Sequence, residues 1–176
     1  MCRDGLYLET EGPQNMGEYV NDLSADEKII MALVRAAEQY KKESGAIFKQ
    51  YGLTFSQYNA LRVLDASSGG QNTISNVSRT MLVSGANMTG VAKRLEKNGF
   101  LYRKSDPKDE RVTLLVISDK GRKTLEAIAH AKNRFVEAYL SGYSEEEKAV
   151  FFSMLKRIIK KNDGRGPHRG GGSPAP

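Results

Sequence analysis

Between positions 93 and 111 the chain carries seven basic residues, Lys93, Arg94, Lys97, Arg103, Lys104, Lys108 and Arg111, against four acidic ones, Glu96, Asp106, Asp109 and Glu110. This window holds +3 of the whole chain's net +6. Cations so concentrated neutralise a polyanion, and each contact with a nucleic-acid phosphate releases condensed counterions. Lys93 and Lys97 fall one helical turn apart, a like-charge pair that costs an isolated helix a few tenths of a kcal/mol. An anionic partner relieves that repulsion; the plainer alternative is an ordinary solvated helix face. Asp109 precedes Arg111 by two residues. A guanidinium suits a narrow, negatively charged minor groove, and a neighbouring carboxylate that holds it still lowers the ordering cost of binding. A surface ion pair worth less than about 1 kcal/mol is compatible with the same two residues.

Other chemistries are poorly supplied. His130 and His168 are the only histidines, the first expected on a helix surface and the second in a Gly/Pro tail. No histidine-based metal cluster or catalytic triad can be assembled from them. No phosphate-cradling GxxxxGK[ST] occurs, and the SSGG at 67–70 reads as a loop ending a helix. Neither an enzyme nor a cofactor is expected. The single cysteine, Cys2, excludes a disulfide framework within one chain and fits a reducing cytosol, so a cytoplasmic location is expected. The longest apolar run, residues 29–34, is far too short for a membrane span. The first twenty residues mix Arg3, Asp4, Glu9, Glu11 and Glu18 without an apolar core, so no secretory leader is expected. A pI near 9.4 favours a polyanionic partner without bearing on the fold.

The elements that must position the basic residues follow from pattern. In SGANMTGVAKRLEKNG, with Ser84 as N-cap, a step of about 100° per residue puts Met88, Val91, Ala92 and Leu95 on one face. Ala86, Gly90, Lys93 and Lys97 lie opposite, flanked by Asn87, Thr89 and Arg94. Residues 100–104 and 112–117 are rich in β-branched and aromatic types around the turn signal Asp106-Pro107, which predicts a two-stranded wing. Capping boxes at Ser24/Glu27, Thr54/Gln57 and Ser144/Glu147 predict three helix starts. The first helix carries Ile29, Leu33, Ala37, Tyr40, Ile47 and Tyr51 to a stop at Gly52; the second carries Tyr58, Leu61 and Leu64. A short helix is expected from about Ile74 to Met81. A long one, capped by Ser118, carries Leu125, Ile128, Phe135 and Tyr139, and a last one, from Glu145 to about Lys161, bears Val150, Phe151, Met154, Leu155, Ile158 and Ile159. A central module of about 65 residues is only marginally stable alone. The apolar stripes of the terminal helices are therefore expected to pair two chains in a two-fold homodimer, the alternative being that both fold back on their own module.

These residues together resemble the winged helix-turn-helix regulators of the multiple-antibiotic-resistance regulator (MarR) family, over roughly residues 27–162. GLTFSQYNALRVL at 52–64 is similar to that family's second helix, TISNVS at 73–78 to the first half of its helix-turn-helix, and NMTGVAKRLEKNGF at 87–100 to its recognition helix. The most specific element is DPKDERVTLLVISDKG at 106–121, where Asp109 and Arg111 fall on the Asp-x-Arg wing motif. The resemblance implies a mainly α (α+β) fold: a winged module at about 53–118, dimerisation helices at 24–51 and 118–162, and flexible segments at 1–23 and 163–176. It also implies a dimer whose recognition helices enter successive major grooves of a pseudo-palindromic double-stranded DNA operator while wing arginines enter the minor groove. The expected DNA contacts are Ser84, Ala86, Asn87, Thr89, Gly90, Lys93, Arg94, Arg103, Lys104, Lys108, Asp109 and Arg111. Three features depart from the family pattern: Gly90 stands where a larger polar residue is common, Leu82 where the inter-helix turn often has Gly, and Cys2 away from the redox-sensing position.

A small aromatic or phenolic effector is a further implication. Tyr40, Tyr51, Tyr58 and Arg62 are the residues expected near its cleft, three aromatic walls and a cation for a carboxylate. Tyrosines at helical spacing also serve as core, and Arg62 could pair with Asp65 or Glu43. Thr89 with Arg103 is a second effector candidate on resemblance alone. The expected function is a sequence-specific DNA-binding transcriptional regulator acting as a homodimer, a repressor. A winged-helix protein-interaction module without DNA binding and a non-specific nucleic-acid-binding protein stay open as alternatives.

Overall fold

Reciprocal hydrogen bonds start three helices of the computed structural model, which describes residues 23–107 and 109–162. Cys2, Lys108, His168, residues 1–22 and the tail 163–176 lie outside the described residues. The Ser24 amide donates to Glu27 Oε2 at 2.8 Å and the Glu27 amide donates back to Ser24 Oγ at 3.3 Å. The backbone and hydroxyl bonds from Ser24 hold the Glu27 carboxyl below the ordinary carboxylate range. Thr54 with Gln57 and Ser144 with Glu147 repeat the arrangement. Each box satisfies two amides that a helix start leaves orphaned.

The elements are α1 (Ala25–Lys49), α2 (Phe55–Asp65), β1 (Gln71–Thr73), α3 (Ile74–Thr80), α4 (Gly85–Lys97), β2 (Leu101–Asp106), β3 (Asp109–Ile117), α5 (Asp119–Tyr139) and α6 (Glu145–Asn162). The fold is mainly α with one small antiparallel sheet, as the patterns predict. No helix among the described residues is long and apolar enough to cross a membrane. The chain divides into two compact units, Met1–Glu43 and Ser44–Pro176. In the first, α1 leaves Ile29, Ile30, Met31 and Val34 about half exposed.

The second unit holds the core and the wing. Leu61, Leu64, Val77, Met88, Leu95, Leu115 and Ile128 are fully buried, drawn from α2, α3, α4, β3 and α5. The Phe48 ring stacks on Tyr58 with centroids 3.9 Å apart. The sheet has strand order β1-β3-β2, all antiparallel. Its third strand is a correction to the two-stranded wing: Ser68–Gly70 form a 3₁₀ turn with Gly69 and Gly70 at positive φ, and this turn feeds β1 onto β3.

The start of α5 locks onto the end of α4. Ser118 Oγ accepts from the Gly121 amide at 3.1 Å and donates to the Gly99 carbonyl at 2.7 Å. Lys120 Nζ donates to the Asn98 carbonyl at 2.8 Å and lies 4.6 Å from the Phe100 ring centroid. A Cβ at Gly121 would come 2.4 Å from the Phe100 carbonyl oxygen. Only glycine lets α5 approach the residue before β2 this closely, and from there the side chains of Ser118 and Lys120 hold the carbonyls that end α4.

Candidate nucleic-acid interface

Helix α4 is built for one buried and one open face. Ser84 has extended backbone and its Oγ accepts from the Asn87 amide at 3.2 Å, an N-cap that fixes where the helix begins. Met88, Val91, Ala92 and Leu95 are buried, the four positions that the helical period predicts. Ser84, Ala86, Asn87, Thr89, Lys93 and Arg94 are exposed and Gly90 is half-buried. Thr89 Oγ1 donates to the Gly85 carbonyl at 2.9 Å, so its hydrogen is spent and its lone pairs can accept. Lys93 and Arg94 make no ion pair among the described residues. A Cβ on Gly90 would meet only Arg94 Nη2, at 3.7 Å, so packing does not demand glycine there.

The turn before α4 holds a strained residue. Leu82 adopts φ 52 and is 84% exposed. Left-handed backbone costs an L-residue roughly 1–2 kcal/mol, and the leucine side chain recovers little of that by burial.

The wing presents Arg111 at an irregularity. Regular pairing runs from Leu101↔Ile117 to Ser105↔Thr113 and then jumps to Asp106↔Asp109, which leaves residues 110–112 outside the ladder. Such bulges bend a strand and re-aim its side chains, and the Arg111 side chain is 95% exposed. Asp109 acts differently from the expectation. Its Oδ1 accepts the Arg111 backbone amide at 3.1 Å, whereas the Arg111 Nε is 3.8 Å away. The carboxylate thus fixes the main chain under Arg111 and leaves the guanidinium loosely held.

Arg103 and Lys104 separate by strand parity. Arg103 stands opposite Leu115 on the core-facing side of the hairpin, and its Nε lies 3.0 Å from Glu96 Oε2 of α4. That Nε is closed to solvent and has no well-directed hydrogen bond, so the contact is an ion pair rather than a directed bond. Lys104 is exposed and forms no ion pair among the described residues. The role of Glu96 was not visible in the sequence, since its partner is on another element.

The expected effector residues do not form one cage in the second unit. Tyr58 is 6% exposed and belongs to the core. Tyr51 donates its hydroxyl to the Ala127 carbonyl at 3.2 Å and borders a shallow depression of about 640 Å³ with Lys97, Asn98, Phe100, Lys120 and Thr124. Arg62 is exposed, and the pairing considered for it with Asp65 is pre-empted, because Asp65 Oδ1 lies 2.6 Å from Arg122 Nη1. Tyr40 lies in the first unit.

Comparison with known proteins places this geometry. The family described as Transcriptional regulator SarA/Rot matches residues 41–128. YkoM, a helix-turn-helix-type transcriptional regulator of Bacillus subtilis (strain 168), is 33% identical over 123 residues, 70% of this chain and 79% of YkoM. Among solved structures, Sco5413, a MarR family transcriptional regulator from Streptomyces coelicolor, is 29% identical with TM-score 0.67, covering 80% of this chain and 98% of its own. Sco3205, a MarR family regulator from the same organism solved in complex with DNA, shares the fold at 19% identity and TM-score 0.73, over 84% of this chain and 93% of its own.

Proposed function

Because the chain belongs to the SarA/Rot family of transcriptional regulators and to the MarR family of winged-helix proteins, we propose that this DNA-binding regulator is a cytosolic homodimeric repressor that reads a pseudo-palindromic operator. The family is one of regulators and not of enzymes. In this reading the exposed face of α4 enters the major groove with Asn87, Thr89 and Lys93 toward base edges, which such a groove presents as distinct donor and acceptor patterns. Ser84, Ala86, Arg94 and Lys104 lie along the phosphates, where contacts orient the protein without reading sequence. Arg111 enters the minor groove, and Asp109 sets the backbone beneath it.

The single observation that carries the reading is the division of α4, whose apolar face is buried and whose outer face is open and basic, in a chain whose wing also carries a 95% exposed arginine. The dimer is supported by the outward apolar side chains of α6, including Phe151, Phe152 and Met154. A two-fold pair of α4 helices then demands two half-sites about one helical turn apart. Release by a small aromatic or phenolic molecule is the finest part of the proposal. Arg62, exposed and without an ion pair among the described residues, is the cation such a ligand's carboxylate would meet.

The experiment is selection of duplexes from random sequence by the wild-type protein, followed by shift assays at matched salt. A pseudo-palindrome should emerge, and Arg111→Ala should weaken its binding by about 1–3 kcal/mol with the dimer intact. No enrichment favours a module that binds protein, and binding indifferent to sequence favours a nucleic-acid coat. Unchanged affinity in Arg111→Ala would remove the minor-groove role.

A further inference from the structure

Glu96 is the one acidic residue of α4, whose other charged members are Lys93, Arg94 and Lys97. A carboxylate on a helix that approaches phosphate raises the electrostatic cost of binding. Its geometry supplies a reason for its presence. Glu96 Oε2 lies 3.0 Å from Arg103 Nε, with the two side chains 39% and 31% exposed. The Nε is sealed from solvent, while the side chain as a whole is still about a third exposed, so the guanidinium is anchored without leaving the surface.

The two ends of this contact belong to different parts of the reader. Arg103 stands on β2, opposite Leu115 of β3, and Leu101, Leu115 and Ile117 of the same parity enter the core. Beyond Arg103 toward the tip no described residue of the same parity belongs to the core cluster, Leu114 being buried on the opposite parity, and the register breaks between Ser105 and Asp106. Ser105 and Thr113, the next pair of that parity, are exposed, so Arg103 is the last partly buried side chain on the inner face before the irregular tip that carries Arg111, and its partner is on the recognition helix itself.

Resting on the DNA-binding reading above, we propose that Glu96 is a positioning residue: it clamps Arg103 and so fixes the angle between wing and recognition helix, letting the two enter their grooves as one rigid body. A clamp set before DNA arrives reduces the ordering cost of binding.

The sign of the effect tests this. Glu96→Gln removes a negative charge of nearly the same shape from the DNA-facing side, so electrostatics alone predicts tighter binding to every duplex. The clamp predicts roughly fivefold to tenfold weaker binding to the selected operator, with binding to a scrambled duplex unchanged or tighter. In an Arg103→Gln background the carboxylate has nothing left to hold, and the same Glu96→Gln change should then leave operator affinity equal or improved. A thermal midpoint for each variant within a few degrees of wild type, on the order expected of a surface substitution, separates the clamp from general unfolding. A variant that unfolds is replaced by Glu96→Asp, which keeps the charge and shortens the reach, and the same operator-specific loss is expected. Operator binding by Glu96→Gln at or above the wild-type level overturns the proposal, and so does a loss that persists undiminished in the Arg103→Gln background. Failure of the wild-type protein to enrich any sequence instead overturns the DNA-binding reading, and this inference with it.

Discussion

Gly90 is a residue that the fold does not require. It sits inside α4, where glycine costs about 1 kcal/mol relative to alanine, and a Cβ there finds only a flexible arginine tip at 3.7 Å. If the absent side chain serves the close approach of DNA, stability and binding respond to substitution in opposite directions. Gly90→Ala should stabilise the protein by about 1 kcal/mol in chemical denaturation and weaken operator binding in the shift assay. A variant that gains stability and binds normally would show that DNA does not come close at this position. Much of the residue-level site was legible because two local rules agree there: a serine cap sets the start of α4 and the 3.6-residue period then selects Met88, Val91, Ala92 and Leu95. Arg103 was legible as a cation but not as half of a pair, since Glu96 reaches it only once β2 has folded back beside α4. Tyr58 shows the opposite failure, an aromatic residue offered as a ligand wall although such tyrosines are more often core, and the Phe48 ring stacked on it belongs to that core.

Turns and strands were less transparent than helices. The three capping boxes announce their helices in sequence, and the hydrogen bonds follow. β1 has no such signal. Gln71-Asn72-Thr73 is short and polar, and it is a strand only because β3 offers it Leu114, Leu115 and Val116 in antiparallel register. The bulge under Arg111 is equally a product of pairing, although Asp109 marks where the backbone bends. The turn between α3 and α4 carries its own strain. Leu82 combines φ 52 with 84% exposure, so glycine at that position would relieve the backbone and forfeit little buried area. Against this, glycine enlarges the unfolded ensemble by about 0.4–1 kcal/mol. The balance predicts that Leu82→Gly raises stability by about 0.5–1 kcal/mol, read from the urea midpoint at unchanged slope. A lower midpoint would mean that the leucine side chain contributes contacts that offset its backbone cost.

At the scale of the whole molecule, the apolar surface of α6 calls for a cover. Val150, Phe151, Phe152, Met154 and Ile159 are each more than half exposed in the single chain, and contiguous apolar patches of this kind mark interaction surfaces. On the reading proposed above, a second copy is that cover, because a two-fold operator would call for two chains. Leu155→Asp should leave the isolated fold nearly untouched yet place an unpaired carboxylate in the proposed dimer interface, at a cost of several kcal/mol. Sedimentation should then report a monomer at micromolar concentration, with operator binding lost alongside the dimer. A Leu155→Asp protein that stays dimeric and binds normally would exclude α6 as the dimer element.

The claim on which the rest depends is that the outer face of α4 reads base edges. The most direct test is the specificity profile of Asn87→Ala beside that of the wild type, measured over all single-base variants of the selected operator at one salt concentration. Asn87 is exposed one turn inside the capped start of α4, where a side-chain amide can bridge the donor and acceptor of one base, a contact worth about 1–3 kcal/mol of discrimination. The profile should lose its preference at one base pair in each half-site and keep it elsewhere. A profile identical to wild type, or one flattened equally at every position, would contradict the placement of α4 in the major groove.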